Sequence, residues 1–280
     1  MTTAPLPAPA TPGLLRWLAQ GPAAVGRSSR RMTRAGLFVA ETVSQLARVA
    51  RQPEPGDVIR RTRRLSWTAE QLCALHGIDV VAEGEPVAGP AVYVANHMSY
   101  IDPLAILQHA PSLPIAKAEV GDWPVLGDAL DQLGILFVDR ACAHSGARVL
   151  LQARRLLEED GAPILAFPEG TTTTGGDVLP FKRGVFGLAR LTGAPVVPVT
   201  LRYESTDPCW VGDEGFLPHY VRTTARSHTR VRVRFGRPLV ARRGESAEGF
   251  AERARTVVRT GLVPGRAEAP LRAREPWTRP

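Results

Sequence analysis

A histidine followed five residues later by an aspartate closes one of the most apolar runs in the chain. Ala91-Val-Tyr-Val-Ala leads directly into Asn96-His97-Met98-Ser99-Tyr100-Ile101-Asp102-Pro103. An imidazole titrates near neutrality and can take a proton from an alcohol, while an adjacent carboxylate can fix its tautomer and stabilise the imidazolium that forms. Polar groups gathered where a buried strand ends fall into a crevice, which is where α/β proteins keep their active sites. A single His near an Asp is also the pattern of an ordinary capped turn, so the pair takes its meaning from its company.

That company is three further strand-like runs, each closed by polar residues. Gly134-Ile-Leu-Phe-Val-Asp-Arg140 ends on a cation, and Phe167-Pro-Glu-Gly-Thr171 supplies a carboxylate, a glycine and a hydroxyl; Val196-Val-Pro-Val199 is the fourth block. Ala91–Ala95, Ile135–Val138, Ile164–Phe167 and Val196–Leu201 have the length and bounding residues of buried strands, and Val231–Phe235 reads as an Arg-laced strand nearer the edge. Helical patterns intervene. One runs from about Val58 to Leu75 and stops at Gly77; another is capped by Ser145, buries Val149, Leu150, Ala153, Leu156 and Leu157, and stops at Gly161. The alternation predicts an α/β fold, a mixed central sheet covered by helices, preceded by a basic amphipathic helical segment.

In this order and at these separations the four blocks resemble the four motifs of the glycerolipid acyltransferase family, which includes bacterial 1-acylglycerol-3-phosphate acyltransferases, over about residues 58–240. The resemblance implies transfer of an acyl group from a thioester, acyl-CoA or acyl-carrier protein, to the hydroxyl of a lysolipid in phospholipid biosynthesis, with no cofactor, no metal and no covalent acyl-enzyme. His97 is then the general base and Asp102 its partner. Asn96 and Ser99 of the first block, Arg140 as a phosphate clamp, and Glu169, Gly170 and Thr171 of the third block are implied to bind substrate. Lys117 and Lys182, the only lysines of the chain, both lie near motif blocks, and Lys182 matches a basic position after the third motif.

One position departs from the pattern. Many members that act on glycerophosphates carry Arg directly after F-P-E-G-T, where this chain has Thr172. Losing a cation weakens selection for a phosphomonoester, and F-P-E-G-T-T is also similar to bacterial enzymes that acylate lyso-ornithine lipids or other lysophospholipids.

Charge is distributed in blocks. Residues 1–64 hold eleven Arg against three acids (+8), residues 221–280 fifteen Arg against five acids (+10), and the middle is acidic at −10, although the whole chain carries only +8. Basic ends suit a polyanion. The Arg-studded apolar pattern of residues 14–57 suits an anionic membrane surface, giving a peripheral protein on the cytoplasmic face of the membrane. Nucleic acid is disfavoured by the acidic middle and by the lack of a zinc-finger, RNP-type or recognition-helix pattern. The Pro-rich residues 1–13 read as a mobile tip, and residues 241–280 as a C-terminal helix and basic tail. Cys73, Cys142 and Cys209 form no C-x-x-C pair, and no run is apolar and long enough to span a bilayer or resembles a signal peptide. A metal hydrolase built on His97, Asp102 and Glu169 lacks further ligands at recognised spacings, and an intact His97 and Asp102 argue against a non-catalytic docking relative.

Overall fold

The runs that precede the polar blocks form the middle of a seven-stranded sheet. The structure, a computed structural model, describes residues 21–49, 57–122, 126–139, 141–212 and 214–263. The expected tip 1–13, the start of the amphipathic segment at Leu14–Trp17, Arg140 and the tail beyond residue 263 lie outside the described residues. In chain order the elements are α1 (Pro22–Val49), α2 (Asp57–His76), β1 (Ile78–Glu83), β2 (Val92–Ala95), α3 (Ile101–Leu107), β3 (Leu113–Lys117), α4 (Ala118–Gly121), α5 (Leu126–Gln132), β4 (Leu136–Val138), α6 (Ala143–Glu158), β5 (Ile164–Ala166), α7 (Gly184–Thr192), β6 (Val196–Tyr203), α8 (Phe216–Ala225), β7 (Thr229–Phe235) and α9 (Ala247–Gly261).

Across the sheet the order is β1-β7-β6-β2-β5-β3-β4. The strands from β6 to β4 are mutually parallel, β7 runs antiparallel to β6, and β1 is parallel to β7. The sheet is therefore mixed, and its five parallel strands all deliver their C-terminal ends to one rim. Both faces are covered, so the central strands bury residues of either parity. Val92, Val94, Ile164 and Ala166 join Val149, Phe186 and Phe250 in one layer; Tyr93, Ala95, Leu165, Val197 and Leu201 join Ile101, Ile106 and Val233 in the other.

Several expectations are corrected. β1 and β3 are strands that the apolar patterning does not announce: β3 holds Pro114, which argues against a strand by removing a ladder donor, yet Pro114 pairs in register with Leu165. β7 does lie near the edge, as expected, with β1 outside it. Ser145 is not the cap of α6. It sits in the first turn, and its hydroxyl accepts from the Asp139 N–H at 3.0 Å. α9, beyond residue 240, buries Phe250, Ala251, Ala254 and Val258, and Phe250 lies edge-on to Phe186 of the core at 5.7 Å. α2 does stop at Gly77, whose φ of +66° is the left-handed conformation of a helix stop.

α1 is docked through part of the charge that its sequence offers to lipid. Arg27 Nε donates to the Ala225 carbonyl at 2.8 Å, and Arg31 donates to the carbonyls of Thr224 (2.9 Å), Arg226 (2.5 Å) and Ser227 (2.9 Å). These carbonyls end α8, where a helix leaves acceptors without intrahelical partners and where its dipole favours a cation. Ala24, Ser28, Ala35 and Thr42 are buried, while Arg30, Arg34 and Leu37 face out. Among the described residues no helix is long and apolar enough to cross a membrane.

Arg31→Ala is expected to lower the unfolding free energy by about 1–3 kcal/mol through the lost charged hydrogen bonds, against less than about 0.5 kcal/mol for exposed Arg30→Ala. Urea denaturation of both variants measures the difference; equal losses would remove this docking role.

Candidate active site

β2 is buried at every residue, and the chain leaves it through a tight polar turn before α3 begins. Asn96 closes the strand without entering the site. Its side-chain amide donates to the Leu201 carbonyl at 3.0 Å and its side-chain oxygen accepts from the Leu201 N–H at 2.8 Å, locking β2 to β6. His97 follows, its side chain 17% exposed, with Nδ1 2.8 Å from Asp102 Oδ2. Asp102 is fully buried, in the first turn of α3. Oδ2 also accepts from the N–H groups of Met98 (2.5 Å) and Ser99 (2.8 Å), and Oδ1 accepts from the Tyr203 hydroxyl at 2.6 Å. An ionised carboxylate can only accept, so the ring proton belongs on Nδ1 and the basic lone pair on Nε2.

The ring is held from its flat side as well. Phe167, just past β5, stacks on it with centroids 4.2 Å apart and planes 24° from parallel. Glu169 fixes the backbone: Oε1 accepts from the His97 N–H at 2.7 Å and Oε2 from the Leu179 N–H at 2.8 Å. Burial pushes the Glu169 carboxyl above its ordinary value, opposed by those two bonds. The Thr173 N–H donates to the His97 carbonyl at 2.8 Å, so both backbone polar groups of His97 are tied to the loop after β5.

The structure sorts the residues expected from sequence. His97 and Asp102 come together as expected. Glu169, expected to face the acceptor, uses both oxygens on backbone N–H groups, and Ser99 is fully buried, its hydroxyl accepting from the Ile101 N–H at 3.4 Å. Gly170 has φ +73°, which favours glycine, and the exposed Lys182 arches over it, its Nζ 2.6 Å from where a Cβ would stand. Thr171 is exposed beside it. Thr172 donates its hydroxyl to the Trp210 carbonyl, joining the loop after β5 to the segment after β6. Lys117, at the end of β3, pairs with Glu119 at 2.5 Å on the surface. Arg140 lies outside the described residues.

Two members of the site were not anticipated as site residues. Phe167 belongs to the third block, where its place beside Glu169 is the available signal. Tyr203 is separated from Asp102 by 101 residues at the far end of β6, and only the pairing of β2 with β6 brings it near. Among the described residues no three His, Cys, Asp or Glu side chains gather as metal ligands.

Residues 74–202 match the family model described as Acyltransferase. The chain is 32% identical over 236 residues, 81% of its length and 88% of the relative's, to a lyso-ornithine lipid O-acyltransferase of Pseudomonas aeruginosa. It is 35% identical over 132 residues, 45% of its length and 47% of the relative's, to 1-acyl-sn-glycerol-3-phosphate acyltransferase alpha of Homo sapiens. The crystal structure of the 1-acyl-sn-glycerophosphate acyltransferase PlsC from Thermotoga maritima superposes with a TM-score of 0.54 at 25% identity, covering 83% of this chain and 96% of that one. The chain belongs to the acyltransferase family, with a PlsC-like fold.

Glu169→Gln turns one acceptor oxygen into an NH2 group facing a backbone N–H. The expected cost is about 1–3 kcal/mol of stability, with turnover falling while KM for the acceptor stays nearly unchanged. Denaturation and steady-state kinetics read the two effects, and a rise in KM alone would instead make Glu169 an acceptor contact.

Proposed function

We propose that the protein acylates the free hydroxyl of a lysolipid from an acyl thioester, carried by coenzyme A or by acyl-carrier protein. The observation that carries the reading is the His97–Asp102 pair, with Nδ1 on the buried carboxylate and a partly exposed ring at the mouth of the parallel strands. His97 Nε2 takes the proton of the acceptor hydroxyl as the oxygen attacks the thioester carbonyl carbon. The tetrahedral intermediate collapses with cleavage of the C–S bond, and the departing sulfur takes the proton back from Nε2. The ester oxygen comes from the acceptor, the thiol is released, and the base is regenerated. Asp102 stabilises the transient imidazolium and stays ionised. Among the described residues Cys73 and Cys209 are buried, and burial pushes their thiols up to about 12 and about 11, which suits neither to act as an attacking thiolate.

For the acceptor, two features favour a lysolipid without a terminal phosphomonoester. Thr172 stands where an Arg would add a second cation and directs its hydroxyl to Trp210, and a relative 32% identical over most of both chains is named for lyso-ornithine lipid. A lysophosphatidic acid acceptor is the second reading, favoured by the shared fold with PlsC. The protein works at the cytoplasmic face of an anionic membrane as a peripheral enzyme, approached through the outward Arg30, Arg34 and Leu37 of α1.

His97→Ala is expected to reduce acyl transfer by about 10²–10⁴-fold without loss of fold; near-normal turnover would end the reading. In a panel of acceptors with one acyl-CoA, lyso-ornithine lipid should give a higher kcat/KM than 1-acylglycerol-3-phosphate. Thr172→Arg should move the ratio toward the phosphomonoester by about ten- to a hundredfold, and a wild type already selective for it would reverse the assignment. Replacing Arg30 and Arg34 by Glu should weaken binding to anionic vesicles by about 2 kcal/mol, at about 1 kcal/mol per basic charge removed. Sedimentation at low and high salt tests this, and unchanged binding would exclude this face.

A further inference from the structure

Asp102 presents its two oxygens unequally. Oδ2 is held by three donors, His97 Nδ1 and the N–H groups of Met98 and Ser99, whereas Oδ1 accepts from the Tyr203 hydroxyl at 2.6 Å. The geometry of the carboxylate is thus secured without Tyr203. Among the described residues, Tyr203 supplies the donor to the remaining oxygen of a residue with no solvent-exposed surface.

We propose that Tyr203 is a positioning residue for the acyl transfer: its hydroxyl holds the outer oxygen of Asp102 and sets how much negative charge the carboxylate delivers to His97. The proposal rests on His97 acting as the base. A hydrogen bond to one carboxylate oxygen draws charge from the other, and Asp102 itself has no exposed surface at which solvent supplies a donor. With Tyr203 in place the pair keeps His97 neutral, and competent as a base, down to a lower pH. Without it the same carboxylate holds the imidazolium more tightly, and the base is blocked at higher pH.

The other titratable or charged groups around the carboxylate are Tyr100 at the start of α3, Cys209 after β6, His219 and Arg222 on α8, and Glu169 after β5. Burial pushes the Tyr100 phenol up, the Cys209 thiol up to about 11 and the His219 imidazole down to about 4. Tyr203 itself is held well above its ordinary value by burial and then by the Asp102 charge, so it remains a donor throughout.

The test is the pH dependence of kcat/KM for a lysolipid acceptor in Tyr203→Phe and in a variant with ring-fluorinated tyrosine at 203, with His97→Ala as reference. Tyr203→Phe should move the acidic limb up by about 0.5–1 pH unit and lower plateau kcat by about three- to tenfold, leaving acceptor KM within about twofold. Fluorination strengthens the donor, keeps the packing and should move the limb down. Opposite displacements assign the limb to the group that Tyr203 touches. If Tyr203→Phe does not fold, the fluorinated protein carries the test alone. Limbs superimposable on wild type in both variants, with His97→Ala inactive, would overturn the inference and leave the His97–Asp102 pair standing. A lower kcat with an unmoved limb would make Tyr203 a packing residue and overturn it as well. An active His97→Ala would overturn the underlying reading and the inference with it.

Discussion

A carboxylate removed from water must find its hydrogen bonds inside the protein, and much of this molecule is arranged around the way Asp102 finds them. An unpaired buried charge is among the costliest features a fold can carry. Asp102 avoids that cost with donors drawn from different levels of structure: two backbone N–H groups of its own turn, the imidazole five residues earlier, and a phenol from β6. The turn between β2 and α3 must close tightly for the first two, and β2 must lie beside β6 for the last. Asn96 clasps the same two strands immediately before the turn, so a polar residue at a buried strand end serves alignment before it serves chemistry.

A second set of bonds reaches the same histidine from the other side of the sheet. Arg255 of α9 donates to the carbonyls of Val178 (2.9 Å) and Leu179 (3.1 Å); the Leu179 N–H meets Glu169, and Glu169 meets the His97 N–H. α9 itself is seated by Phe250 in the core. The loop after β5 is thereby fixed at three places, and it returns the constraint through Phe167 on the ring and Thr173 on the His97 carbonyl. A base works only when its lone pair is aimed, and here the ring plane, the tautomer and the backbone are each fixed by a different partner.

The parts of this arrangement that follow local rules were legible in the sequence. A polar block after a buried apolar run marks a strand end, and the His97–Asp102 spacing fits one turn of chain leading into a helix, so both the site and its place at the sheet rim could be read. Contacts that depend on strand order could not. Tyr203 carries no motif of its own, and Glu169 looks the same whether it faces substrate or two backbone N–H groups. Arg27 and Arg31 read as lipid-facing cations because spacing gives the face of a helix and not the neighbour it packs on; their partners are carbonyls nearly two hundred residues away. Pro114 hid β3 because the rule against proline in strands is statistical and a short parallel pairing tolerates the lost donor.

His97 and Asp102 act as one unit in this mechanism, and a double-mutant cycle on acyl transfer measures that directly. With His97→Ala, Asp102→Asn and the double variant assayed at saturating acyl-CoA, the predicted result is that the second substitution costs almost nothing once the first is made, because a carboxylate with no imidazole to orient has no part in the reaction. Losses that multiply across the cycle would mean that the two residues act independently, and would contradict the account.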